Sequence, residues 1–250
     1  MDPLFIDIGN SVIKLCRISN NNGFYSFKYF PYLKNNFKVS FRSLLADILN
    51  EETGLKVCIV HSDINQKKDI EKTLIELEVD YVIFDRNSEG ILNINYEDSL
   101  GIDRYCAVNG AKSKYMNKEN ILVIDFGTAT TFNFISGNNF NGGLIFPGIS
   151  SSAEMLSERT GLPNVKLKKE YRLIENTTET NISSGILMSN ILAINGLIQE
   201  SIKKFNDLFI IATGGNYDYI KNDLRDINSY EENLKFEGMK VLYLRTKMMK

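Results

Sequence analysis

Leu4-Phe5-Ile6-Asp7-Ile8-Gly9-Asn10-Ser11-Val12-Ile13-Lys14-Leu15 and Ile121-Leu122-Val123-Ile124-Asp125-Phe126-Gly127-Thr128-Ala129-Thr130-Thr131-Phe132-Asn133-Phe134 are two versions of one pattern. In each, an apolar strand carries an aspartate to its tip and a glycine permits a tight turn. Small hydroxyl or amide residues follow, and a second apolar strand returns. The two aspartates lie 118 residues apart, nearly half of the 250-residue chain. That spacing predicts a whole-domain duplication, because solenoid repeats recur every ~20–50 residues. Turn amides, with the side chains of Asn10, Ser11 or Thr128, can close around a phosphate. The strand-end aspartate can hold a cation or its water shell against that phosphate. One copy alone reads equally as a hairpin whose Asp and Gly merely shape the turn. Two copies, one near the start of each half, predict facing hairpins that form a nucleotide cleft.

Working outward, the pattern alternates between strand and helix. Strand-like residues at 23–29 precede a helix at 40–50, a buried strand at 56–60, a helix at 67–78 and a strand at 81–84. Such alternation predicts an α/β sheet covered by helices. The polar stretch 109–120 reads as the boundary between an N-terminal lobe, residues 1–115, and a C-terminal lobe, residues 116–250. In the second half, Ser151 and Glu154 form a capping-box signature, and Gly161 with Pro163 ends that helix. A longer helix is expected over 184–205, with Leu187, Ile191, Ile194, Ile198, Ile202 and Phe205 on one stripe. Ile186, Met188 and Leu192 widen its apolar surface, and a subunit contact is a use for the excess. A strand at 209–212 then leads into the glycine turn Thr213-Gly214-Gly215.

Composition narrows the chemistry. With 29 basic and 31 acidic residues, no positive surplus favours nucleic acid. No uninterrupted apolar run reaches the ~20 residues of a membrane span. The start, MDPLFIDIGNS, lacks the basic segment of a signal peptide, so a cytoplasmic protein is expected. Three cysteines without CxxC spacing give neither a disulfide framework nor a zinc knuckle. His61 is the sole histidine, and no GxSxG motif is present to partner it. The remaining chemistry-bearing groups are carboxylates, hydroxyls, Lys, Arg and backbone amides, an inventory that suits phosphoryl transfer.

Taken in order, these motifs resemble those of the type III pantothenate kinases, within the acetate and sugar kinase, Hsp70 and actin superfamily. Asp7-Ile8-Gly9-Asn10-Ser11 resembles the family's first phosphate motif, and Asp125-Phe126-Gly127-Thr128-Ala129-Thr130-Thr131 its second. Gly101-Ile102-Asp103-Arg104, with Tyr96 ahead of it, resembles the Gly-x-Asp-Arg segment. Gly142-Gly143-Leu144-Ile145-Phe146-Pro147-Gly148, Asn176-Thr177 with Ser184-Gly185, Thr213-Gly214-Gly215 and Glu237-Gly238-Met239 resemble the later motifs. The resemblance spans essentially the whole chain. It departs at Val60-His61-Ser62-Asp63, where the family carries an apolar, proline-containing turn.

The resemblance implies a duplicated, ribonuclease H-like (actin-like ATPase) fold, in which two lobes with mixed sheets and flanking helices enclose a cleft. It implies ATP-dependent phosphorylation of pantothenate to 4'-phosphopantothenate, the first step of coenzyme A biosynthesis. Asp103 inherits the role of general base; a carboxylate in the first turn of a helix is held ionised by the dipole and free amides. ATP contacts are implied for Asp7, Ile8, Gly9, Asn10, Ser11, Lys14, Thr128, Gly214 and Gly215. Substrate contacts are implied for Tyr96, Gly101, Ile102, Asp103, Arg104 and Thr177, the threonine reaching in from the other subunit of a homodimer. Mg2+ is expected with the nucleotide, and a monovalent cation, K+ or NH4+, at Asp125. Two alternatives stand beside this: an accessory factor of the same family without a kinase role, and another small-molecule kinase of the superfamily.

Overall fold

The computed structural model describes residues 3–9, 12–18, 24–52, 54–97 and 99–248. The strands, in chain order, are β1 (Leu4–Ile8), β2 (Val12–Ile18), β3 (Phe24–Pro31), β4 (Lys56–His61), β5 (Asp80–Ile83), β6 (Asn93–Ile94), β7 (Asn120–Phe126), β8 (Ala129–Ser136), β9 (Asn139–Pro147), β10 (Leu208–Thr213) and β11 (Ser229–Tyr230). The helices are α1 (Phe37–Glu51), α2 (Lys67–Glu76), α3 (Ile102–Lys114), α4 (Ile149–Thr160), α5 (Thr178–Lys204) and α6 (Leu234–Met248). The chain forms two compact units. One comprises Met1–Ile91, Glu97–Gly110 and Lys235–Lys250; the other comprises Leu92–Tyr96 and Ala111–Leu234. The units are therefore discontinuous in sequence.

The first unit holds a five-stranded sheet in the order β3-β2-β1-β4-β5. β1 pairs antiparallel with β2 and parallel with β4. Because side chains alternate along a strand, Leu4, Ile6 and Ile8 share one face. That face packs in one core with Phe37, Phe41, Leu44 and Leu45 of α1 and Ile70 and Leu74 of α2. Phe5 takes the opposite face, where its ring meets Tyr243 of α6 edge-on, 6.0 Å between centroids. Asp7 shares the face of Phe5 by the same alternation, opposite Lys14 in register.

The second unit repeats this plan. Its sheet runs β11-β10-β7-β8-β9-β6. β7, β8 and β9 form an antiparallel meander, and β7-β10-β11 extend it in parallel. Replacing β1 by β7, β2 by β8, β3 by β9, β4 by β10 and β5 by β11 converts one order into the other, with β6 added at the edge. This is the duplication anticipated from the paired hairpins, on the mixed-sheet, actin-like plan that the resemblance implies. Leu122, Ile124 and Phe126 of β7 form its core with Ile149 of α4 and Leu187, Ile191, Ile194 and Ile198 of α5. By length and composition α5 could cross a membrane, but half of its most apolar window is buried in this core.

Several helix ends differ from expectation. α4 starts at Ile149 with Gly148 as its cap and no side-chain capping bond, so Ser151 does not open it. Instead the Ser152 hydroxyl donates to Gly148 O at 2.9 Å. α5 starts at Thr178, six residues before the expected Ser184, because Thr177 caps it by accepting from the Thr180 N–H. Of the expected stripe, Ile202 is 38% exposed; of the residues expected to widen it, Leu192 is 68% exposed while Ile186 is buried. α3 continues to Lys114, into the polar stretch 109–120. Gly161 does end α4, in the left-handed conformation at φ 72°.

A glycine fixes how α6 meets α3. A Cβ at Gly238 would stand 1.9 Å from Cys106 O and 2.5 Å from its carbonyl carbon, so the two backbones touch. Gly238→Ala is therefore expected to destabilise the protein by ~1–3 kcal/mol through overpacking, against the ~1 kcal/mol that alanine gains over glycine in a helix. The urea midpoint measures this, and an unchanged midpoint contradicts the close approach.

Candidate active site

In the first unit the phosphate-motif candidates sit where β1 turns toward β2. The turn closes with the Gly9 N–H donating to Val12 O at 3.0 Å. Ile8 is fully buried. Asn10 and Ser11 lie outside the described residues. Behind the turn, the Tyr32 hydroxyl donates to Gly9 O at 2.5 Å, and Gln66 Nε2 donates to that hydroxyl at 3.1 Å. Asp7 is 3% exposed, and its Oδ1 has no hydrogen-bond partner among the described residues. Its Oδ2 pairs with the Lys235 ammonium of α6 at 3.4 Å. Lys14, in register with Asp7, is half-buried with its ammonium 5.8 Å from the centroid of the Tyr29 ring.

The Gly-x-Asp-Arg candidates open α3 in the same unit. Asp103 lies in the first turn of the helix, and its Oδ1 accepts from the Arg104 N–H at 2.9 Å. A Cβ at Gly101 would meet that Oδ1 at 2.7 Å, so the glycine makes room for the carboxylate. Ile102 and Asp103 are half-buried, and Arg104 is 7% exposed. One turn on, Cys106 is completely buried. Burial pushes its thiol up, the Asp7 and Asp103 carboxylates push it further, and the Lys235 ammonium opposes them. Asp7, Asp103 and Lys235, from β1, α3 and α6, thus act on one buried thiol.

In the second unit the corresponding hairpin is tightened by glycines. The Gly127 N–H donates to Ala129 O at 3.2 Å, and the Gly148 N–H donates to Thr128 O at 3.0 Å. A Cβ at Gly148 would lie 2.2 Å from Gly127 O and 2.6 Å from Thr128 O. Gly214 has φ 92°, and a Cβ there would stand 2.6 Å from both Asp125 Oδ1 and Phe126 O. Two oxygens therefore border one point beside Gly214. Asn216 braces the turn, its Nδ2 donating to Gly127 O at 2.9 Å while its Oδ1 accepts from the Ser150 hydroxyl at 2.9 Å. Thr128 and Gly215 are exposed. Beside them Tyr217 stacks on Tyr230, 4.9 Å between centroids, and lies 5.4 Å from Phe126.

Tyr96, also in this unit, is 37% exposed; its ring lies against Phe140 and 3.3 Å from where a Gly142 Cβ would be. Thr177 is exposed, and its hydroxyl is engaged with Thr180 at the start of α5. All three cysteines are free and buried. Burial, reinforced by Glu237, pushes the Cys16 thiol up to about 12, and burial is also the main cause that takes Cys58 to about 12. His61 ends β4 with Nδ1 3.2 Å from Asp63 O, and burial lowers its pKa. Sequence reading missed Lys235, Tyr32, Gln66 and Asn216. The first lay in an otherwise unremarked segment two residues before Glu237, and the others carry no motif.

The sequence profile described as type III pantothenate kinase matches residues 3–200. Two curated relatives carry that name. One, from Flavobacterium psychrophilum, is 32% identical over 96% of this chain and 98% of its own; the other, from Ehrlichia canis, is 31% identical over 94% and 88%. Among solved structures, a Campylobacter jejuni protein described as a candidate Baf family transcriptional activator superposes with TM-score 0.61 at 20% identity, covering 98% of this chain and 99% of that one. A candidate 2-dehydro-3-deoxygalactonokinase from Sinorhizobium meliloti superposes with TM-score 0.60 at 14% identity, covering 99% of each. These superpositions agree with the duplicated fold. The profile match and the near full-length relatives establish that this chain belongs to the type III pantothenate kinase family.

Proposed function

We propose that the protein transfers the γ-phosphoryl group of ATP to the primary hydroxyl of pantothenate, with Asp103 as the base. The observation that carries this is that one unit holds both Asp7, buried at the end of β1 with Oδ1 unpartnered among the described residues, and Asp103, fixed in the first turn of α3 by the Arg104 N–H. The hydroxyl oxygen forms a bond to the γ-phosphorus as the bond to the ADP oxygen breaks, and the hydroxyl proton passes to the Asp103 carboxylate. In a loose phosphoryl transition state, orienting the hydroxyl matters more than early proton removal. A half-buried carboxylate fixed by its own helix amide suits that task. Arg104 offers a planar fork to the substrate carboxylate or a phosphate, and Tyr96 is an expected substrate contact.

The carboxylates suit the cations that the resemblance implies. Among the described residues no group of three His, Cys, Asp or Glu could hold a metal ion. The unpartnered Asp7 Oδ1 instead suits the water shell of Mg2+ carried in with ATP. Asp125 Oδ1 and Phe126 O, both beside Gly214, supply the oxygen donors a monovalent cation takes. When bound, Mg2+ neutralises charge on the phosphates. Gly9 of the first unit, and Thr128, Gly214 and Gly215 of the second, are the expected nucleotide contacts.

The expected site is completed across a homodimer by Thr177. Supporting this, Thr177 is exposed, and α5 leaves Leu192 exposed on the face away from its core. The cytoplasm is the expected location.

A coupled assay with purified protein tests the reading: ADP release should require pantothenate and rise with K+ or NH4+. Hexose or acetate as acceptor instead of pantothenate would refute it. Asp103→Asn keeps an oxygen for the Arg104 N–H, so the fold should survive while kcat falls ~10²–10⁴-fold, the usual worth of a general base; near-normal turnover would remove Asp103 from that role. Sedimentation should give a dimer, and a stable, active monomer at micromolar concentration would eliminate the contribution of Thr177 in trans.

A further inference from the structure

Lys235 belongs to none of the motifs, yet its ammonium stands 3.4 Å from Asp7 Oδ2. The two ends of that pair are unlike. The Asp7 side chain is 4% exposed and the Lys235 side chain 25%. A carboxylate so far from water loses its hydration, and a fixed opposite charge beside it offsets that loss. Lys235 is fixed by its backbone. It lies one turn before Gly238, on the same side of α6, and Gly238 is in backbone contact with Cys106 of α3. The helix that carries the ammonium is thus locked one turn beyond Asp103. The ion pair engages Oδ2, while Oδ1 has no hydrogen-bond partner among the described residues.

We infer that Lys235 is a positioning residue of the phosphoryl-transfer site. Its ammonium engages Asp7 by one oxygen, fixing the side chain, and leaves the other for the hydrated metal of the incoming nucleotide. The inference rests on reading Asp7 as the nucleotide-side carboxylate.

The test uses the full chain and Mn2+–ATP, titrated without pantothenate and followed by electron paramagnetic resonance, beside steady-state kinetics. Lys235→Met should weaken Mn2+–ATP binding and raise KM for ATP by about tenfold or more, the scale of a lost charge-assisted contact, with kcat changed far less. Lys235→Arg should recover most of the loss, which a purely structural role for the side-chain stem would not require. If Lys235→Met does not fold, Lys235→Gln provides the neutral comparison. Asp7→Asn separates the two levels. If Asp7→Asn is impaired while the neutral Lys235 variants bind as wild type or more tightly, the role of Lys235 is overturned. If Asp7→Asn itself binds Mn2+–ATP as wild type, the reading of the motif fails, and the inference with it.

Discussion

A carboxylate at the tip of a central strand buried on both faces constrains everything around it. β1 is hydrogen-bonded on both edges and packed on both sides, so no water reaches its interior. A charge there must be paired or face a ligand, because leaving it alone in a low-dielectric interior costs several kcal/mol. The neighbourhood of Asp7 is organised by that requirement. α6 returns to the first unit from more than two hundred residues away in sequence and brings a lysine, and Gly238 lets it come close enough. In the second unit the same strand end is accommodated differently. Glycines at 127, 148 and 214 remove side-chain bulk around Asp125 and its turn.

The two units share a strand order but have diverged at the loop beside each hairpin. Ile8 pairs with His61 at the end of β4, and Asp125 pairs with Thr213 at the end of β10, just before Gly214. The first unit fills this place with His61 and a turn in which the Asp63 carboxylate accepts from Asn65 N–H at 3.0 Å. The second uses a glycine at positive φ. The sequence departure at Val60-His61-Ser62-Asp63 thus falls where the duplication tolerates side-chain closure, and Ser62 N–H still donates to Ile8 O at 3.0 Å to hold the hairpin.

Much of this was legible from local pattern. The hairpins, the strands at 56–60 and 209–212 and the helix around 67–78 follow from apolar runs bounded by turn residues, and the repeat of Asp-x-Gly announced the duplication. Gly101, Gly148 and Gly214 were readable as motif members, though not the oxygens they make room for. Helix starts were less legible. Thr177 and Gly148 both act as caps, and the stronger-looking Ser151-x-x-Glu154 signal begins inside the first turn of α4, where backbone geometry set by the Gly127–Thr128 turn takes precedence. Lys235, Tyr32 and Gln66 could not be found, because each works through a partner that is distant in sequence and close only after folding.

The burial of Cys16, Cys58 and Cys106 has a practical corollary. Thiols react with alkylating agents as thiolates, and all three are fully buried and held far above neutral pH in their titration. All three also lie in the first unit. Alkylation of the native protein therefore waits for that unit to open, which makes the protein's own sulfur a clock for local unfolding on one side of the duplication, with no probe introduced.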